Sequence, residues 1–253
     1  MTSKQTVLVT GAAMRVGRAI ALDFSSRGWQ VAVHANRSQQ QADAVMSEIV
    51  ASGGKARVFL ADLAEPSAID TLTSEVMAEY GYLDCLINNA SLFEYDDIES
   101  LTAESWSTHL AINFTAPVLL ARSMYRHLPA NSVGNIINII DQRVWKPTPH
   151  FFSYSASKAG LWAVTRTLAQ ALAPRVRVNA IGPGPVLKSI HQSQADFDRQ
   201  AAATLLGRAT SPEEISAAIR YILDAPAMTG QMIALDGGQH LAWQTPDVGD
   251  GKG

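Results

Sequence analysis

The fold of this chain is indicated most clearly by one stretch, Thr6-Val7-Leu8-Val9-Thr10-Gly11-Ala12-Ala13-Met14-Arg15-Val16-Gly17. Its apolar, β-branched start predicts a buried strand, and residues 17–27 follow a helical pattern. Gly11 and Gly17 lie where the backbone turns between strand and helix. Such a turn lets the backbone approach a pyrophosphate, and the helix N-terminus favours that anion. Two glycines six residues apart are a weak motif alone, but this position between the first strand and the first helix strengthens it.

The alternation of strand and helix continues along the chain. Strands are predicted at residues 6–10, 30–34, 56–60, 85–88, 135–140, 176–180 and 232–235, and helices at 17–27, 39–52, 66–80, 103–127, 153–172 and 212–223. Continuous apolar strands are typical of a parallel sheet with helices on both faces. We therefore predict one α/β domain over residues 1–241, a Rossmann-like doubly wound parallel sheet of about seven strands. A flexible tail is expected over residues 242–253.

Composition limits the class of protein. The 253 residues are 47% hydrophobic and 17% charged with a net charge of −3, which allows a sizeable core and offers no electrostatic footprint for nucleic acid. No apolar run is long enough to span a bilayer, and the N-terminus shows no targeting pattern. The single cysteine, Cys85, excludes an intrachain disulfide and suits a reducing compartment. We expect a soluble cytoplasmic protein without a nucleic-acid or membrane partner.

The residues after the second predicted strand indicate which dinucleotide would bind. An NAD enzyme usually places Asp or Glu there, to hold the adenosine ribose hydroxyls. The chain instead reads His34-Ala35-Asn36-Arg37-Ser38, without a carboxylate. Arg37 is suited to grip a 2′-phosphate, with hydrogen bonds from Ser38 and His34, although an exposed basic loop is the alternative. NADPH is therefore the predicted cofactor.

Tyr154 and Lys158 are the predicted proton-transfer pair. A spacing of four residues places both side chains on one face of the helix predicted at residues 153–172. A nearby ammonium favours the phenolate, so the pKa of Tyr154 is expected to be lowered. The pattern occurs often by chance, but here it follows the fifth strand of a sheet that already carries a dinucleotide loop.

Together these features resemble the classical short-chain dehydrogenase/reductases over nearly the whole chain. The residues that carry the resemblance are Thr10-Gly11, Asn88-Asn89-Ala90, Asn113, Tyr154 with Lys158, Pro183-Gly184 and Leu235-Asp236-Gly237-Gly238. The resemblance implies that Tyr154 donates the proton, that Lys158 binds the nicotinamide ribose, and that Asn113 helps to hold a water-linked proton path. It also implies a homotetramer with 222 symmetry, with residues 103–127 and 153–172 in one interface.

The predicted cofactor contacts follow from the motifs and the resemblance together. Asp62 and Leu63 follow the third strand, where the adenine edge would lie, and Asn89 and Ala90 follow the fourth strand, close to the cofactor. The full predicted set is Gly11, Arg15, Val16, Gly17, His34, Asn36, Arg37, Ser38, Asp62, Leu63, Asn89, Ala90, Ser91, Tyr154, Lys158, Pro183, Gly184 and Val186.

Two departures from the common family pattern are informative. The family loop usually reads TGxxxGxG, but its middle glycine is Arg15 here, and Asp141 stands where a catalytic serine is usual. With Ser91 and Phe93 after Asn89-Ala90, these residues resemble the pteridine reductases and bacterial dihydromonapterin reductases. The resemblance points to Arg15, Ser91, Phe93, Asp141 and Tyr154 as substrate contacts.

The chemistry of Asp141 agrees with a pterin substrate. A serine hydroxyl can donate to a ketone oxygen that gains charge, whereas an ionised aspartate cannot. A pterin presents a C=N bond whose nitrogen needs a proton, which an Asp141–Tyr154 pair could relay. Phe93 is placed to stack on the flat ring, with ordinary core packing as its alternative. Arg15 is expected at the polar edge of the pterin or at the cofactor phosphates.

The remaining polar residues give weaker signals. The histidines show no metal-ligand spacing, so no metal is predicted, and the acidic run at residues 94–97 is expected to be a solvated loop. Residues 187–206 are predicted to form a substrate lid, with His191, Gln192 and Phe197 as candidates for lining it.

Three functions remain open from the sequence. The first is NADPH-dependent reduction of a dihydropterin, dihydromonapterin or dihydrofolate to the tetrahydro form. The second is reduction of a ketone such as a 3-oxoacyl carrier protein, with Asp141 as an incidental replacement. The third is a regulatory scaffold that binds NADPH, which fits poorly because a sensor has no need of Tyr154, Lys158 and Asn113.

Overall fold

The computed structural model describes residues 5–189 and 192–243, and within them seven strands form one sheet. All neighbouring strands pair in parallel, in the order β3-β2-β1-β4-β5-β6-β7. The strands are β1 Thr6–Val9, β2 Gln30–Ala35, β3 Lys55–Leu60, β4 Cys85–Asn88, β5 Gly134–Ile139, β6 Val176–Pro183 and β7 Met232–Leu235. The prediction of a single-domain, doubly wound parallel sheet is confirmed.

Eight α-helices connect and cover these strands in the described part of the chain. They are α1 Arg15–Ser26, α2 Gln39–Ala51, α3 Pro66–Tyr80, α4 Ala103–Leu110, α5 Ala116–His127, α6 Phe152–Leu172, α7 Gln194–Ala202 and α8 Pro212–Asp224. Short 3₁₀ turns lie at Gln142–Val144 and Gln239–Leu241. None of the described helices is long and apolar enough to cross a membrane.

The core has two layers because successive strand residues point to opposite faces of the sheet. In β1, Val7 and Val9 pack with buried residues of α1, α2 and α8, whereas Leu8 packs on the other face with residues of α3 and α5. All three side chains are fully buried. Burial on both faces explains why β1 reads as a continuous apolar run.

The helix predicted at residues 103–127 is interrupted. A π turn at Ala111–Thr115 separates α4 from α5, and the amide of Ala116 donates to the carbonyl of Ala111. Pro117 follows immediately and has no N–H to donate to the carbonyl of Asn113, so the regular helical ladder cannot continue here. The widened turn contains Asn113, one of the predicted site residues.

The order of the strands determines where a ligand can lie. The chain runs from β1 outward to β3, and then crosses to β4 on the opposite side of β1. At such a reversal the loops after β1 and β4 separate, leaving a crevice at the carboxyl ends of the strands. The predicted site residues after β1, β2, β4, β5 and β6 therefore lie along one edge of the sheet.

Candidate active site

The turn after β1 is fixed to the end of β4 by hydrogen bonds. The hydroxyl of Thr10 accepts from the amides of Asn89 (2.9 Å) and Ala90 (3.0 Å), and the Asn89 side chain donates to the carbonyls of Thr10 (2.9 Å) and Gly11 (3.2 Å). Gly11 has a positive φ of 63°, and a Cβ added at Gly17 would lie 2.2 Å from the Gly11 carbonyl oxygen. Only glycine fits at either position, as the motif predicted.

His34 supports this turn from β2. Its Nδ1 accepts from the amide of Gly11 at 3.1 Å, so Nε2 carries the proton and donates to the carbonyl of Ala61 at 3.1 Å. Burial lowers the pKa of His34 to about 4 and keeps the ring neutral. The prediction that His34 would bond a 2′-phosphate is wrong, because both ring nitrogens already have partners within the protein.

The predicted cofactor residues surround one cleft of about 920 Å³. Every residue of the predicted set lines it except Arg37, which is exposed on the turn between Asn36 and Ser38. The guanidinium of Arg37 makes no hydrogen bond or ion pair within the described residues, so its donors are available at the rim of the cleft. Phe93 and Asp141, predicted for substrate, line the same cleft.

Arg15 joins the two walls of this cleft. Its guanidinium donates to the carbonyls of Lys188 (2.8 Å) and Leu187 (2.9 Å), which belong to the predicted lid. The sequence predicted that Arg15 would meet substrate or phosphate, but it could not indicate a contact 172 residues away. Arg15 begins α1 with a positive φ of 56°, an unusual conformation for a side chain of this size.

The hydroxyl of Tyr154 donates to Oδ2 of Asp141 at 2.8 Å, and Oδ1 of Asp141 accepts from the amide of Arg143 at 2.8 Å. Burial raises the pKa of Asp141. Burial also raises the pKa of Tyr154 well above 10, and the charge of Asp141 adds to this shift. The predicted lowering of the Tyr154 pKa is therefore wrong, because a buried carboxylate beside the phenol disfavours phenolate.

Lys158 lies on the same face of α6 as Tyr154, as the spacing predicted. Its Nζ donates to the carbonyl of Ile139 at 2.9 Å and is 5.7 Å from the centroid of the Tyr154 ring. Burial lowers the pKa of Lys158 to about 8. The ammonium is thus held at the carboxyl end of β5, directly beside the Asp141–Tyr154 pair.

Asn113 connects the turn after β4 to α6. Its side chain accepts from the amide of Leu92 (2.8 Å) and the hydroxyl of Ser91 (3.2 Å), and donates to the carbonyl of Leu92 (2.9 Å) and the hydroxyl of Ser157 (3.1 Å). Asn113 is fully buried. The side chain therefore positions Ser91 and α6 rather than facing the cleft.

Phe93 belongs to an aromatic wall of the cleft and not to the core. Its ring stacks on Phe151 with centroids 4.3 Å apart, and meets the edge of Tyr154 at 4.7 Å. One face of Phe93 is therefore covered by protein, which the sequence did not predict. Phe151 was missed, although an aromatic residue just before the helix that carries Tyr154 was a usable signal.

The acidic run at residues 94–97 is not simply a solvated loop. Asp96 is buried, and its carboxylate accepts from the amide of Ser153 (3.0 Å) and the hydroxyl of Ser105 (3.1 Å). It therefore binds the first turn of α6, the helix that carries Tyr154. Nothing in the local sequence indicates this contact, because Ser153 lies 57 residues away.

The predicted lid contains α7, and Gln192 and Phe197 line the cleft. His191 lies outside the described residues, as do residues 244–253 of the predicted tail. Among the described residues, no group of three or more His, Cys, Asp or Glu side chains could hold a metal ion.

Comparison with known proteins identifies the family. The family model for short chain dehydrogenases matches residues 5–199. The chain is a short-chain dehydrogenase. A 3-oxoacyl-[acyl-carrier-protein] reductase of Synechocystis sp. is 32% identical, over 92% of this chain and 96% of its own.

Two solved structures share more of the sequence with this short-chain dehydrogenase. FolM alternative dihydrofolate reductase 1 of Brucella canis, complexed with NADP, is 48% identical with a TM-score of 0.94, covering 98% of both chains. The Brucella suis protein, also with NADP, gives the same identity and TM-score over 98% of this chain and 100% of its own.

The enzyme is an NADPH-dependent oxidoreductase, and its cleft suits this cofactor. Gly11 and Gly17 keep the turn after β1 free of side chains, and α1 presents its N-terminus there. No carboxylate stands after β2 to repel a 2′-phosphate, and Arg37 is free to bind one. When bound, NADPH supplies the hydride for reduction.

Proposed function

We propose that this reductase converts a dihydropterin or dihydrofolate to its tetrahydro form. The observation that supports this most directly is the hydrogen bond from Tyr154 to Asp141 at the position of the usual catalytic serine. An acceptor-only carboxylate repels the oxygen of a ketone as that oxygen gains charge, whereas a C=N bond needs a proton on nitrogen. The 48% identity to two alternative dihydrofolate reductases supports the same substrate class.

The raised pKa values of Asp141 and Tyr154 keep a proton on the pair. The phenol of Tyr154 stays protonated near neutral pH, and the carboxyl of Asp141 has a raised affinity for a proton. As hydride reaches the substrate carbon, the pair gives one proton to the adjacent ring nitrogen and regains it from solvent. Lys158 is held by the carbonyl of Ile139. Its positive charge stabilises the Asp141–Tyr154 pair while that pair lacks its proton.

A panel of substrates tests the proposal. NADPH oxidation is followed with dihydrobiopterin, dihydromonapterin, dihydrofolate and a β-ketoester, using the wild-type enzyme. We expect turnover of at least one dihydropterin or dihydrofolate and little turnover of the ketoester. Ketoester reduction without any pterin or folate reduction would overturn the proposal and favour the activity of the Synechocystis relative.

Variants of Asp141 test the mechanism. We expect Asp141→Asn, which keeps the shape but cannot carry the proton, to lower kcat for the dihydropterin by about 100-fold or more. Asp141→Ser restores the usual family residue and is expected to lose pterin reduction while gaining ketoester reduction. Melting temperatures of both variants control for folding, and full pterin turnover by Asp141→Asn would contradict the relay.

A further inference from the structure

Arg143 lies beside the proposed reaction centre, and its guanidinium has no hydrogen-bond partner among the described residues. It stands two residues after Asp141 in the turn Gln142–Val144, and its backbone amide is held by Asp141. The side chain lines the cleft, and its Nη1 is buried without a hydrogen-bond partner. Within the described residues the guanidinium forms no salt bridge. Neither the fold nor the proton transfer accounts for these unused donors.

Two aromatic rings hold this guanidinium in place. Its central carbon is 4.9 Å from the ring centroid of Phe151 and 5.5 Å from that of Phe93. Phe151 adopts the left-handed conformation, with φ of 55°, which residues other than glycine rarely do. Strained backbone of this kind clusters at ligand sites, where the surrounding structure maintains it. The two rings stack on each other, so the guanidinium lies beside the stacked pair, and neither ring uses its N–H donors in a hydrogen bond.

Arg143 is half-buried and its charge interacts with that of Asp141, but none of its five guanidinium donors has an acceptor oxygen among the described residues. The π faces of Phe93 and Phe151 provide attraction but no acceptor oxygen. A ligand in the cleft can supply that oxygen. A carbonyl accepts one or two of these bonds, and a carboxylate accepts a parallel pair.

We propose that Arg143 is a substrate-binding residue that donates hydrogen bonds to an acceptor oxygen of an aromatic substrate lying beside Phe93. The inference deepens the proposed function and rests on it. Two chemical groups in these substrates can supply the oxygen. One is the carbonyl of the pterin ring, and the other is a carboxylate on the side chain of a folate. The experiment distinguishes these sources.

The variants are Arg143→Met, which keeps the volume but removes charge and donors, and Arg143→Lys, which keeps the charge but removes the planar fork. Arg166→Met is the matched control, because Arg166 is exposed and stacks on Trp162 at 5.2 Å. KM and kcat are measured with dihydrobiopterin, which has no carboxylate, and with dihydrofolate. Calorimetry gives the Kd of oxidised folate for the enzyme loaded with NADP⁺.

We expect Arg143→Met to raise KM and the folate Kd by about tenfold to a hundredfold, with partial recovery in Arg143→Lys and no change in Arg166→Met. Equal increases for both substrates assign the oxygen to the ring, and an increase for dihydrofolate alone assigns it to the carboxylates. An unchanged KM and Kd, or a lower kcat at unchanged KM, would overturn the subsite. If the wild type binds folate through Arg143 but reduces no pterin or folate, the proposed function fails and the subsite stands.

Discussion

Asp141 uses both carboxylate oxygens, one for the hydroxyl of Tyr154 and one for the amide of Arg143. A single side chain therefore fixes the proton donor and the turn that carries the unpartnered guanidinium. A carboxylate makes both contacts at once because it has two acceptor oxygens, whereas the serine usual in the family has only one. The replacement of the usual serine by Asp141 therefore changes both the chemistry and the shape of the site.

The preference for NADPH over NADH can be tested by replacing Arg37. We expect Arg37→Ala to raise KM for NADPH by about tenfold to a hundredfold, because a charge-assisted contact to the 2′-phosphate is lost. KM for NADH is expected to stay unchanged, because NADH has no such phosphate. Initial rates with both cofactors at a fixed substrate concentration measure this. Equal KM values for NADPH and NADH in the wild type would contradict the assignment.

The sequence predicted most of the site residues but not their partners. Gly11, Tyr154 and Lys158 belong to local motifs whose spacing carries the geometry. Arg15 and His34 have partners far along the chain, at Lys188 and Ala61. These partners take two of the five donors of Arg15 and the only N–H of His34. A local pattern cannot show which hydrogen-bonding groups the folded chain has already used.

At the scale of elements, most strands and helices start and end close to the predicted positions, because apolar runs mark the strands and an apolar face marks most helices. Helix α7 at Gln194–Ala202 was not predicted as a helix, and it buries no residue that could mark it. α3 at Pro66–Tyr80 and β7 at Met232–Leu235 match the predicted ranges. The π turn at Ala111–Thr115 was not predicted, although Pro117 was the visible sign that the helical ladder would break there. Hydrophobic periodicity alone does not distinguish one long helix from two joined by a π turn.

Replacing Asp96 tests how α6 is held in place, because Asp96 binds the first turn of α6 from outside that helix. We expect Asp96→Ala to lower the free energy of unfolding by about 1–2 kcal/mol, the usual effect of removing a helix cap, and to lower kcat by displacing Tyr154. Urea unfolding and steady-state kinetics measure the two effects. Asp97→Ala is the neighbouring control, because the half-buried Asp97 bonds only within its own loop, to Tyr95, Glu99 and Ser100. Equal effects of both variants would contradict a specific role for Asp96.

At the scale of the whole molecule, the parallel sheet brings residues from distant parts of the chain to one edge. The topology was predictable because alternating strands and helices leave few arrangements for a parallel sheet. The homotetramer implied by the family resemblance stays a prediction, which sedimentation equilibrium would test. Residues that follow β1 to β6 line the cleft, so the geometry of the site depends on the stability of the sheet.

His34 links this stability to pH, because it connects β2 to the turn after β1 and to the chain after β3. Its pKa is about 4 in the folded protein and 6.5 in the unfolded chain, so between these values only the unfolded chain takes up the proton. The contribution is fully present above pH 6.5 and is lost as the pH falls towards 4, by about 3 kcal/mol in total.

Urea unfolding of the wild type and His34→Gln between pH 7.5 and 4.5 measures this contribution. We expect the wild type to lose more stability over this range than His34→Gln does. His127→Gln is the control, because His127 is exposed at the end of α5 and should keep the wild-type slope. Parallel slopes for the wild type and His34→Gln would contradict the role of His34.

The hydrogen bonds from Arg15 to the carbonyls of Leu187 and Lys188 have a consequence for how ligands enter and leave the cleft. Both bonds are exposed, so water competes for the guanidinium and for the carbonyls whenever they separate. A hydrogen bond of this kind contributes about 1 kcal/mol to stability, which is less than about twice the thermal energy. Thermal motion is therefore expected to break and re-form these hydrogen bonds, and the cleft would open at this point without any loss of the sheet.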